Sequence, residues 1–135
     1  MILVDTSAWI DFLSGTETPA AAALDELVER GVPFGLTEII LQELLQGLAT
    51  DEEFERLYSY LRTQRFFGLT NGRDSYAEAA RLYFLCRHQG ITVRSTIDCL
   101  IAQIAIENEL LLLHNDRDFL RLASVIPELR LFEVP

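Results

Sequence analysis

Five carboxylates stand at positions where acids could meet. Asp5 ends the unbroken apolar run Ile2-Leu3-Val4. Asp116 follows a second such run, Leu110 to Leu113, with Asp118 two residues later. Glu43 lies at the edge of an apolar helical stripe, with Ile39 and Ile40 one turn before it and Gly47 one turn after. Asp98 sits in the first turn of a helix opened by Ser95, in a column with Ala102 and Ala105. Taken singly, each has an ordinary account. Glu43 reads as a boundary glutamate reaching water along its own stem. Asp98 reads as an acid favoured by a helix N-terminus, and Asn115-Asp116 reads as turn chemistry.

Together they point elsewhere. Strands of a parallel sheet end on the same side, and open α/β folds place their chemistry at those carboxyl ends. Helix starts adjoin the same edge. Three or four carboxylates brought within a few ångströms cannot all stay ionised without a counter-charge. The chain has no lysine to supply one, and few arginines lie near these positions in sequence. A hard divalent cation is the economical answer, because an all-oxygen site suits Mg²⁺ or Mn²⁺. His88 and His114 lack zinc-like spacing, and Cys86 and Cys99 have no partner ligands.

The elements that must position these acids follow from periodicity and caps. The apolar run through Val4 suits a strand covered on both faces. Ala8 to Leu13 reads as a short helix with Trp9, Ile10, Phe12 and Leu13 inward. Thr18 and Pro19 open a second helix that stops at Gly31. Pro33 to Leu36 reads as a strand, and Thr37 caps a helix from Glu38 to about Leu48. Asp51 caps the next, in which Phe54, Leu57, Tyr58 and Leu61 share a face. Arg65 to Leu69 is a weaker third strand. Asp74 opens a helix to Arg87 or His88, and Thr96 to about Asn108 forms another. Leu110 to Leu113 is a buried strand, Phe119 to Leu122 belongs to a short helix, and Leu129 to Val134 is a last edge strand. Short strands alternating with helices predict βαβ units and a parallel sheet covered on both sides.

Composition bounds the function. At 135 residues the length fits one domain over residues 1–135, and 50% of the residues are hydrophobic. No apolar run approaches the roughly 20 residues that span a bilayer. The opening residues carry acids and no base, unlike a secretory signal, and two unpaired cysteines suit a reducing compartment. The expected location is therefore cytoplasmic, with no membrane contact. The net charge is −10, from 21 acids against 11 bases, every base being arginine. Absence of lysine excludes Schiff-base and P-loop chemistry and the receiver-domain reading. An acidic chain can still handle a polyanion when bound cations and a few placed arginines screen the site.

At this point the motifs resemble those of a PIN-domain ribonuclease of the VapC toxin type, from toxin–antitoxin pairs. "ILVDTSAWID" is similar to the family's first motif, with Asp5 as its acid and Thr6 and Ser7 as the small polar residues after it. "LTEIILQELLQG" resembles the second, placing its acid at Glu43. "GITVRSTIDCLIAQIAI" resembles the third, with Asp98 as its acid and Arg94 upstream. "LLLHNDRDF" resembles the fourth, with Asp116 as its acid and Asp118 auxiliary. His114 departs from the pattern, standing where a small hydroxyl residue is common.

The resemblance implies a PIN-like three-layer α/β fold, with a mostly parallel central sheet of four to five strands and helices on both faces. It implies Mg²⁺, with Mn²⁺ as a substitute, on Asp5, Asp98 and Asp116, with Glu43 joining directly or through water. It implies in-line hydrolysis of RNA that leaves the phosphate on the downstream fragment. Thr6 or Ser7 would hydrogen-bond the phosphate or a water, and Arg94 and Arg117 would hold the RNA backbone. The implied partners are a VapB-like antitoxin, a second copy of the chain in a homodimer, and hetero-oligomers of the two. Tyr58, Leu61, Tyr83 and Phe84 are expected mostly to pack in the core, the alternative being a groove between helices that takes an antitoxin segment, plus a homodimer face. Two other functions stay open on the sequence: a housekeeping RNA-processing nuclease without an antitoxin, and a PIN-fold binding module without turnover.

Overall fold

The structure is a computed structural model describing residues 1–135. Five short strands, β1 (Ile2–Val4), β2 (Phe34–Leu36), β3 (Arg65–Phe66), β4 (Leu111–Leu113) and β5 (Arg130–Leu131), form one sheet in the order β3-β2-β1-β4-β5. Every pairing is parallel. The two apolar runs are its central neighbours, with Ile2, Leu3 and Val4 in register with Leu111, Leu112 and Leu113. Leu3, Val4, Leu112 and Leu113 are fully buried, as strands covered on both faces must be.

Seven helices connect the strands: α1 (Thr6–Ser14), α2 (Pro19–Arg30), α3 (Glu38–Gln46), α4 (Asp51–Leu61), α5 (Arg73–His88), α6 (Thr96–Glu107) and α7 (Arg117–Val125). α1 packs on α2 and α3, and α3 on α4; α5 packs on α6 and α7. These are the two helical layers of a three-layer fold.

The caps explain where the helices begin. Thr18, Thr37 and Ser95 each accept a backbone N–H from the first turn of their helix, as the sequence indicated. The cap of α4 is Thr50 rather than Asp51, because the threonine hydroxyl reaches the N–H of Glu53 and Asp51 falls inside the first turn. Gly31 ends α2 at φ 64°, a left-handed conformation that costs a residue without a Cβ little.

Two burial assignments differ from the sequence reading. Trp9 is fully buried, with Phe34 edge-on at 5.7 Å, yet Ile10 and Leu13 are 51% and 46% exposed. A single short helix against one sheet face buries only one stripe, and these two residues lie off it. Leu61 is fully buried core as expected, but Tyr83 and Phe84 on α5 are exposed rather than packed inside. The third and last strands are also shorter than the apolar patterns that announce them. No helix is long and apolar enough to cross a membrane.

Candidate active site

The register of β1 on β4 brings the chain ends after both strands to one edge. The β1–β4 ladder runs one residue further, with the N–H of Asp5 donating to Leu113 O at 2.9 Å. Asp5 is the N-cap of α1 and Asp116 the N-cap of α7, and Asp98 lies in the first turn of α6. Three helix N-termini, each with a partial positive charge, therefore face the same acids.

Capping and convergence are compatible here because a carboxylate has two oxygens. Asp5 Oδ2 accepts the N–H of Ser7 at 2.9 Å and its hydroxyl at 2.6 Å. Asp116 Oδ1 accepts the N–H of Asp118 at 2.9 Å. Glu43 Oε1 accepts the hydroxyl of Thr6 at 2.8 Å, which ties α3 to the start of α1. In each residue one oxygen carries these bonds and the other is left for a ligand. Asp98 uses neither side-chain oxygen, and its backbone N–H donates to the Ser95 hydroxyl at 3.2 Å.

Asp118 is different. It is buried, its Oδ1 meets Arg121 Nη1 at 2.8 Å, and its Oδ2 takes the N–H of Arg94 at 3.2 Å and Arg94 Nε at 3.5 Å. Both of its oxygens are occupied by cations or donors. Arg121 was missed in the sequence, although its place three residues after Asp118 on one helix was a usable signal.

Burial and neighbouring acids both raise the carboxyls of this edge. Asp98 is half-buried and its carboxyl is pushed up to about 7, first by burial, then by Asp116, Asp5, Asp118 and Glu43 in that order. Asp5 is raised to about 6, chiefly by burial, with the Ser7 hydrogen bonds opposing and Glu43 adding to the rise. Carboxylate oxygens of Asp98, Asp116 and Asp118 all lie within 4.8 Å of one another, a grouping that can hold a metal ion. The donors are carboxylate oxygens throughout, several without partners, and this set fits a hard divalent cation better than zinc or copper. Beside them the ring of His114 packs on Phe119 at 5.3 Å, and burial holds its basicity below the ordinary value.

The structure thus sets oxygens of Asp98, Asp116 and Asp118 within 4.8 Å of one another, with Asp5 and Glu43 near enough to raise the Asp98 carboxyl further. Thr6 and Ser7 act on two of those acids. Arg94 and Arg117 line the cleft that opens beside Asp116.

A parallel sheet with acids gathered beyond the carboxyl ends of its two central strands defines an α/β protein with a candidate metal centre. The chain belongs to the PIN-domain family, whose profile matches residues 2–125. Its similarities agree. It is 34% identical over 120 residues to ribonuclease VapC11 of Mycobacterium tuberculosis, covering 88% of this chain and 89% of that one. The fold is similar to VapBC2 of Rickettsia felis, solved bound to a DNA fragment from its promoter, with TM-score 0.72, 20% identity and 98% of each chain covered. It is also similar to a toxin–antitoxin complex from Klebsiella pneumoniae, with TM-score 0.69, 19% identity, and 95% and 94% of the two chains covered.

Proposed function

We propose that this chain is a divalent-cation-dependent endoribonuclease acting as the toxin of a toxin–antitoxin pair. The observation that carries the reading is the grouping of Asp98, Asp116 and Asp118, whose carboxylate oxygens lie within 4.8 Å of one another, with both Asp98 oxygens free of other partners. Carboxylates this close need a counter-charge, and a hard divalent cation supplies one. Family membership and the VapC ribonuclease relatives supply the substrate class.

In this reading Asp5, Asp98 and Asp116 hold Mg²⁺ or Mn²⁺, with Glu43 joining directly or through water. When bound, the ion lowers the pKa of a water and neutralises charge on the phosphodiester. The chain's own residues do the rest. Ser7 holds one oxygen of Asp5 and Thr6 one oxygen of Glu43, which restrains both side chains and leaves the other oxygen of each free. Arg94 and Arg117 take phosphate oxygens, and Asp118 steers Arg94. The product carries its phosphate on the downstream fragment.

The partners follow. A VapB-like antitoxin is the counterpart to expect from relatives crystallised as toxin–antitoxin complexes. Its basic residues would complement the −10 charge and the acidic site. Exposed Ile10 and Leu13 border a groove that also contains Glu43, which offers an apolar segment a route to the acids. Exposed Tyr76, Tyr83 and Phe84 on α5 suit a second copy of the chain. We read residues 1–135 as one PIN domain, since β5 lies beyond the family match yet completes the same sheet.

The test is cleavage of RNA by the purified chain with Mg²⁺, with a chelator, and with Asp98→Asn. Cleavage by the wild type alone, and only with the cation, is the expected result. Equal cleavage in all three samples contradicts the reading.

A further inference from the structure

Cation binding does not account for the cleft beside Asp116. It encloses about 1020 Å³ between α7, the loop before α6 and the segment after β5. Arg94 and Arg117 flank the acid, and Leu120, Phe132 and Val134 make an apolar wall next to them. Leu120 is 57% exposed and Val134 39%. Phe132 is held in place by its N–H, which donates to Leu112 O at 2.9 Å. The guanidinium of Arg94 is largely exposed and makes one loose contact, and Arg117 is in none of the chain's three ion pairs.

We propose that this cleft takes one unpaired nucleotide of the RNA next to the scissile phosphate, with its base against Leu120, Phe132 and Val134. The inference rests on the nuclease reading above and deepens it by making this wall the determinant of where the RNA is cut. Two observations and one general property of duplexes support it. The wall is apolar and aromatic, and every base has a face that can pack on such a surface once it leaves its stack. Arg94 and Arg117 line the same cleft as that wall, where Asp116 and Glu133 are the only acids, so a base and a flanking phosphate can be met side by side. A duplex offers phosphates and ribose but keeps its base faces hidden, and would leave the wall without a partner.

The experiment uses the full chain with Mg²⁺ on an RNA pool of random sequence, sequencing the new ends and measuring KM and kcat on one preferred RNA. Leu120→Ser and Val134→Ser are the variants, since both side chains are exposed and neither supports the core. The expected result is a flattened base preference beside the cut and a KM raised by about tenfold, with kcat nearly unchanged. Phe132→Ala, checked by thermal melting, is expected to show the larger effect of the same kind. Wild-type base preference and wild-type KM in both serine variants overturn the inference, and are the outcome if the wall docks a protein instead. A wild-type chain that cuts no RNA in the pool overturns the nuclease reading along with it.

Discussion

The hydroxyl of Ser7 donates to Asp5 Oδ2 at 2.6 Å and itself accepts the N–H of Asn115 at 2.8 Å. One small side chain therefore links the loop after β1 to the loop after β4, the two loops that carry Asp5 and Asp116. Asn115 adds a second tie through its side-chain amide, which donates to Asp11 at 2.7 Å. Ser7→Ala is expected to fold normally and to lose about tenfold in RNA cleavage, the scale of one charge-assisted hydrogen bond. Steady-state kinetics beside a melting curve check it.

Asp118 and Asp98 predict opposite phenotypes. Asp118 has both oxygens engaged by Arg94 and Arg121, whereas Asp98 has both free. Asp118→Asn leaves two guanidiniums without their shared anion, so stability falls by about 1–3 kcal/mol and KM for RNA rises as Arg94 loosens. Cation affinity falls less than in Asp98→Asn, because both Asp118 oxygens already carry partners although they lie within the three-acid grouping. Asp98→Asn abolishes cleavage and weakens cation binding at least about tenfold, while its melting transition stays near wild type. Denaturant unfolding and Mn²⁺ titration on both variants separate the roles.

Stability without a cation should fall as the pH rises. Asp98 and Asp5 have folded pKa values of about 7 and about 6, against an ordinary 3.8. The folded chain therefore binds more protons than the unfolded chain across that interval, and its stability declines with pH through it. The melting temperature of cation-free protein is expected to drop by a few degrees between about pH 5 and about pH 7.5. Saturating Mg²⁺ should raise it more at the upper pH than at the lower, because at low pH the ion must displace protons. Melting curves at both pH values, with and without Mg²⁺, make the check.

Gly35 sets the edge of the sheet. A Cβ there would lie 2.5 Å from the carbonyl oxygen of Arg65 and 2.6 Å from Phe67 Cε2. Gly35→Ala must push β3 away, at a cost of about 1–3 kcal/mol. Thermal melting should show the loss, while Mn²⁺ affinity stays near wild type because β3 lies far along the sheet from β4.

The parts of the fold legible in the sequence were those with one dominant cause. Val4-Asp5 and Leu113 to Asp116 could be read because a fully apolar run ending in an acid fits a buried strand that meets a polar edge, and fits little else. Thr18, Thr37 and Ser95 could be read because each cap is local chemistry. Ile10 and Leu13 could not, since the width of a buried stripe depends on what packs against it. Motif resemblance separated Asp116 from the auxiliary Asp118, but the pairing of Asp118 with Arg94 could not be read, because Arg94 arrives from another segment.

The central claim is that Asp5, Glu43, Asp98 and Asp116 hold one divalent-cation centre. Calorimetric titration of Mn²⁺ into the metal-free wild type, Asp5→Asn and Asp98→Asn tests it most directly. The account predicts saturable binding by the wild type, weakened at least about tenfold in each variant while both keep their melting transitions. Equal binding in all three proteins, or none in the folded wild type, would contradict it.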